Sequence, residues 1–203
     1  MSSSSAHRRQ CCARLAEPAL EHGRIVMVLS CGALLDNFEL VDLARRQRGR
    51  ILVPTGALLG LDAVAAAEGG ISTVHMITRK PPRGLAGAPY FEANGIDISG
   101  LTEPKRVFIG TAREAARGFP ANVNVAAALA LAGIGPDRTT VEIWADPNVT
   151  RNIHRIEVEA EAARLSMQIE NVPTEENPRT GRLTPLSVIA ALKKLTSPLA
   201  IGT

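Results

Sequence analysis

A chain of 203 residues is long enough for one substantial core or two small ones. Hydrophobic residues make up 45% and aromatic residues only 3%, so the core is built from Ala, Val, Leu and Ile; this suits layered α/β packing and argues against a platform that stacks nucleic-acid bases on aromatic rings. The formal charge of +3 is concentrated in Arg8, Arg9, Arg14 and in Arg45, Arg46, Arg48 and Arg50, while the other cations alternate with acids, the pattern of a solvated face rather than of a nucleic-acid footprint.

Residues 1–22 open with four serines and three arginines and have no acid before Glu17. That composition is shared by organelle transit peptides and by short unfolded starts, and the segment is read here as an unordered or artefactual leader. Cys11, Cys12 and Cys31 form no framework, and their odd number points to a reducing compartment, hence the cytoplasm. No apolar run reaches the length of a bilayer crossing, so no membrane partner is expected.

Ile25–Ser30 is a continuous apolar run, as in a strand buried on both faces, and Ile51–Pro54 is a second. Leu34–Arg46 between them reads as a helix, so the three make a βαβ unit. Leu58–Ala67 reads as a helix and Ile71–Lys80 as a strand that ends at Pro81-Pro82. Residues 83–103, rich in Gly and Pro, read as one long loop. A strand over Arg106–Gly110, a short helix over Arg113–Arg117 and an apolar, buried helix over Val123–Ala132 follow. Val141–Ala145, Ile153–Glu159 and Ala163–Glu170 alternate cleanly and are expected as an antiparallel meander. Pro185–Leu195 reads as an amphipathic helix with Thr184 as its cap.

The fold class is therefore α/β plus α+β: a partial Rossmann-like parallel sheet, then an α+β catalytic domain containing an antiparallel sheet. No phosphate cradle is found: Gly133-Ile134-Gly135 meets Arg138 where G-x-G-x-x-G needs glycine, and no G-x-x-x-x-G-K-[ST] occurs. The 24 residues before Ile25 are fewer than the roughly 30 that a βαβ unit needs, so the first mononucleotide half of a doubly wound fold is not expected among them.

Alternation along Ile153–Glu159 sets His154 beside Ile156 and Val158, opposite Arg155, Glu157 and Glu159. A sheltered histidine near a loop suits general acid–base chemistry. On spacing alone, a core histidine satisfied by a backbone carbonyl is the stronger reading. Asn122 and Asn124 precede or begin the buried helix; one is expected to cap it and the other to meet a ligand amide or carboxylate. Arg79 and Lys80 at a strand end, with Arg151 just before His154, are candidate carboxylate binders.

The strings GALLGLDAV (56–64), TRKPPRG (78–84), FPANVNVAAALALAG (119–133), DPNVTRNIHRIEVE (146–159) and IENVPTEENPRTGRLTPLSVIAAL (169–192) closely resemble the L-aspartate dehydrogenase family in order and spacing. The resemblance runs from about Gly23 to Thr203. It implies a cytoplasmic homodimer that uses NAD or NADP to interconvert L-aspartate with iminoaspartate, and so oxaloacetate plus ammonia, feeding NAD biosynthesis. It makes His154 the acid–base residue. It gives the nicotinamide end of the cofactor to the backbone of Gly56 and Ala57 and to the side chain of Asn124, the preferred amide of the pair. It also implies the domains: 23–57 with 183–203 as a remnant of the dinucleotide-binding domain, and 58–182 for substrate binding, catalysis and dimerisation. A family member opens with the glycine-rich turn that is not found here; the other reading is a non-catalytic remnant that dimerises or binds a dicarboxylate.

Overall fold

The first apolar run is strand only over Ile25–Met27 (β1), which pairs in parallel with Arg50–Leu52 (β2) in the register Ile25↔Arg50 to Met27↔Leu52. The structure is a computed structural model and describes residues 3–175, 180–199 and 201–202. It divides into two compact units, Met1–Pro54 and Thr55–Thr203.

In the first unit the segment expected to be an unordered leader is a helix, Ser3–Glu21 (α1). Ala16 and Leu20, four residues apart and so on one face, are buried, and α1 packs on the helix Glu39–Arg46 (α3). Its end is a stop signal that the sequence reading passed over. Gly23 takes φ +67°, its N–H donates to the Leu20 carbonyl at 2.9 Å, and the Arg24 N–H donates to the Ala19 carbonyl at 3.0 Å. Those two bonds are a Schellman close, which satisfies two orphan carbonyls at the cost of a left-handed residue that glycine adopts freely.

The helix expected over 34–46 is two pieces, Cys31–Leu34 (α2) and α3. Asn37 breaks it: its backbone N–H donates to the Leu34 carbonyl at 3.2 Å and its side chain to the Ala33 carbonyl at 2.7 Å. Side-chain bonds of this local kind offer the backbone an alternative to the helical ladder.

The second unit begins with Leu61–Ala66 (α4), entered from Gly60 at φ +67°. Ile71–Lys80 is a ten-residue strand (β3) with the bounds read from the sequence. The loop expected over 83–103 holds two short helices, Pro82–Leu85 (α5) and Pro89–Asn94 (α6), each with proline in its first turn. Proline there signals a start, because its missing N–H is one that no helix uses. Lys105–Thr111 (β4) leads into Ala112–Gly118 (α7) through a capping box: Thr111 Oγ1 accepts from the Glu114 N–H, and the Glu114 carboxylate accepts from the Thr111 N–H. Then follow Asn124–Ala132 (α8), Thr139–Ala145 (β5), Asn152–Ala160 (β6), Arg164–Asn171 (β7) and Leu183–Thr196 (α9). Thr184 lies inside α9, whose N-cap is Arg182, so it is not the cap. Helix α9 belongs to the second unit.

The five strands of the second unit run in the order β4-β5-β3-β6-β7. The expected meander of β5, β6 and β7 is thereby corrected. β3 sits between β5, to which it is parallel, and β6, to which it is antiparallel; only β6 and β7 form a hairpin. Alternation told which face each strand buries, but chain order does not fix which strand lies beside which.

Val74, Met76, Val141, Ile143, Ile156 and Val158 are buried on one face of this sheet. Helices α7 and α8 lie against its strands and α4 lies against α8. Helix α8 can be buried along Ala126–Ala130 because its side chains are small. The scarce aromatics are gathered beside it. Tyr90, Phe91 and Phe108 surround Phe119 with ring centroids 5.2, 5.4 and 5.5 Å away. The opposite face carries His75, Arg79, Glu142, Trp144, Arg155 and Glu157 and is partly open to solvent.

Candidate active site

Pleating and register together bring buried polar side chains to one end of the sheet. On β3, Thr78 and Lys80 continue the face of Val74 and Met76; on β6, Asn152 and His154 continue the face of Ile156 and Val158. Thr78 is directly opposite His154, and Asn152 is directly opposite Asn171 at the end of β7. Asn122, just before α8, completes the group. His154 and Lys80 are each 3% exposed.

A buried ammonium is costly unless its protons find acceptors. Lys80 Nζ donates to Asn122 Oδ1 at 3.1 Å and to the Asn122 carbonyl at 3.3 Å. His154 Nδ1 is 3.2 Å from Thr78 Oγ1. Burial, then the nearby Lys80 charge, lower the His154 pKa from its ordinary 6.5 to about 3. The imidazole is therefore neutral at physiological pH and carries a lone pair able to take a proton. Asn152 Oδ1 is buried with no hydrogen-bond partner, which leaves an acceptor waiting for an N–H donor.

A pH dependence follows from the histidine. Its folded pKa of about 3 lies below the 6.5 of the unfolded chain, so below pH 6.5 the unfolded state takes up a proton that the folded state refuses. This contribution to stability is complete above about pH 6.5 and is lost as pH falls toward 3. Melting temperature measured across that range should fall more steeply for the parent chain than for His154→Gln; parallel curves would refute it.

Of the cations picked from the sequence, the structure brings Lys80 to His154 and sets the other two apart. Arg79 is on the opposite sheet face, where its Nη1 donates to Asp146 Oδ2 at 3.3 Å and its guanidinium lies 4.6 Å from the Trp144 ring centre. Arg151 is half exposed, with Nη1 3.9 Å from Glu170 Oε2.

The backbone groups proposed for the cofactor lie in the same unit as His154. The Gly56 N–H donates to Ser187 Oγ at 3.0 Å, and Asn171 Nδ2 donates to the Ala57 carbonyl at 2.8 Å. Asn171 thus joins this turn to Asn152, its register partner beside His154. Asn124 is exposed in the first turn of α8, two residues from the Lys80 partner Asn122. Neither asparagine is the cap, since Val123 holds that place without a side-chain bond.

Sequence reasoning did not single out Thr78, Asn152 or Asn171. The alternation that selected His154 selects Thr78 and Asn152 equally, because each shares its face with the core. Asn171 becomes a site residue only through the pairing of β6 with β7, which no local pattern shows.

The profile of the C-terminal part of aspartate dehydrogenase matches residues 62–195. An L-aspartate dehydrogenase of Bradyrhizobium diazoefficiens is 64% identical over 93% of this chain and 68% of its own length. One from Methanosarcina barkeri is 49% identical over 94% of this chain and 72% of its own. The crystal structure of an aspartate dehydrogenase from Thermotoga maritima superposes with a TM-score of 0.76 at 25% identity, covering 96% of this chain and 75% of that one. The matched residues include β3 to β7 with Thr78, Lys80, Asn122, Asn152 and His154, and on these matches the chain belongs to the aspartate dehydrogenase family.

Proposed function

We propose that this protein is an NAD- or NADP-dependent L-aspartate dehydrogenase, in which His154 moves a proton and Lys80 holds a substrate carboxylate. The observation that carries the reading is the pair itself, a neutral buried imidazole beside a buried ammonium. Lys80 is fixed at the sheet end by two oxygens of Asn122, so it presents a point charge to a carboxylate with little freedom left to lose. An incoming carboxylate neutralises that charge, weakens its hold on His154 and raises the basicity of the imidazole when substrate is present.

The nicotinamide end of the cofactor fits these residues. Gly56 and Ala57 form a turn tied by Asn171 to the end of β7 opposite Asn152, Asn124 stands exposed in the first turn of α8, and Asn152 Oδ1 is a buried acceptor suited to an amide or ammonium N–H. The cofactor, when bound, supplies the acceptor for the hydride that leaves Cα of aspartate. The chain orients the amino acid through Lys80, and His154 accepts a proton from the substrate nitrogen or from the water that hydrolyses the imine. Arg79 and Arg151, engaged elsewhere, are left out of this assignment.

Aspartate-dependent growth of reduced cofactor at 340 nm tests the activity. Lys80→Met should raise KM for aspartate by roughly 100-fold, the worth of about 3 kcal/mol for a charged hydrogen bond. An unchanged KM removes Lys80 from the site, and no turnover in the parent chain at any cofactor concentration overturns the activity.

We also propose a cytoplasmic homodimer that contributes to NAD biosynthesis. The open sheet face supports dimerisation: it mixes Arg79, Arg106 and Arg155 with Glu142 and Glu157 and carries the 54%-exposed Ile109 at its β4 edge, so that both signs of charge and an apolar group are available to a second copy. Sedimentation at micromolar concentration should give twice the monomer mass, and a monomer there refutes the dimer.

A further inference from the structure

We infer that Thr78 is the positioning residue of His154: its hydroxyl accepts from Nδ1–H, fixes the tautomer and leaves Nε2 as the nitrogen that meets the substrate. The inference rests on the assignment of His154 as the acid–base residue and adds the group that orients it. Thr78 faces His154 directly across the β3–β6 pair, and Oγ1 lies 3.2 Å from Nδ1. Both side chains are 3% exposed, so water does not readily take the place of either partner.

A ring that takes and returns a proton at Nε2 must carry a proton on Nδ1 in both of its states. As base it is the neutral Nδ1–H tautomer, and as acid it is the imidazolium. The neighbour of Nδ1 must therefore be an acceptor throughout the cycle. A threonine hydroxyl meets that need without adding charge. A carboxylate in its place would stabilise the imidazolium and make the proton harder to give back. Thr78 is also stiff: a β-branched side chain on a central strand has few rotamers, so it holds the ring at small entropic cost. Strand β3 thereby presents the orienting hydroxyl at Thr78 and, two residues on, the ammonium of Lys80, both on the face that carries His154.

The experiment uses the full chain with ¹⁵N-labelled histidine, so that the tautomer is read by NMR without dependence on turnover. The parent should show His154 with Nδ1 protonated and Nε2 bare, and Thr78→Val should give a mixture or the opposite tautomer. Thr78→Ser should restore the parent pattern. At saturating cofactor, Thr78→Val should lower kcat by roughly 10- to 100-fold, the range found for hydrogen-bond partners that orient metal-bound histidines, with KM for aspartate little changed, and Thr78→Ser should recover most of it. A parent ring protonated at Nε2, with Thr78 as the donor, overturns the inference. So does a Thr78→Val protein with an unchanged tautomer or an unchanged kcat. His154→Ala, measured beside them, separates the two claims. If it abolishes turnover and Thr78→Val does not lower it, only the positioning role fails. If it keeps full turnover, the acid–base assignment fails with it.

Discussion

Replacing His154 by Ala is expected to lower kcat on aspartate by roughly 10²- to 10⁴-fold, the worth of a positioned proton carrier. Cofactor affinity should change little, because Gly56, Ala57 and Asn124 lie on other segments and keep their backbone and side-chain groups. The sign of any stability change is informative too. The substitution removes a buried imidazole and leaves the Thr78 hydroxyl without its ring partner, so some loss of stability accompanies the loss of turnover. Steady-state kinetics and a melting curve on the same sample keep the two apart. A variant that melts far lower yet turns over normally would make His154 a core residue and no more.

Phe119→Ala should cost about 3–5 kcal/mol, the range for deleting a buried aromatic ring. Phe119 is fully buried, at the end of α7, and touches Tyr90, Phe91 and Phe108 with centroid separations of 5.2 to 5.5 Å. The protein has few aromatic residues, and this cluster holds three of its four phenylalanines and its single tyrosine, so no other ring is placed to fill the hole. Three residues later the chain reaches Asn122, whose carbonyl and side-chain oxygen hold Lys80. The loss should therefore reach the site, and KM for aspartate should rise with the fall in the urea midpoint. Phe119→Leu keeps most of the volume and should lose much less. An unfolding free energy from the urea curve of Phe119→Ala within about 1 kcal/mol of the parent's would show that α7 and α8 are not pinned by this ring.

The sequence determined the elements wherever a single period dominates. Strand β3 was read with its final bounds, because a run rich in β-branched residues (Ile71, Thr73, Val74, Ile77, Thr78) is closed by Pro81-Pro82. Alternation along β6 assigned His154 to the buried face, and helix α8 was legible because a helix apolar on nearly every side can only lie inside. The strings that carry the family resemblance were equally local, and they sufficed to place the chain in its family. Short-range exceptions to the period were not legible. Asn37 broke a helix by bonding backward, prolines in residues 82 and 89 opened helices in what read as a loop, and Gly23 closed a helix in what read as a leader.

Tertiary structure alone decided which groups meet. Alternation says that Thr78, Lys80, Asn152 and His154 share one kind of face, but only the insertion of β3 between β5 and β6 sets Thr78 opposite His154. Asn122 reaches Lys80, and Asn171 reaches the Ala57 carbonyl, across 42 and 114 residues of chain. Arg79, next to Lys80 in sequence, is sent by the pleat to the other side of the sheet, where Asp146 and Trp144 hold it. The physical reason is common to all of these. Periodicity is set by the backbone of each segment and can be read from that segment, whereas strand order and side-chain pairing depend on which burial satisfies the most polar groups at once, a property of the whole unit.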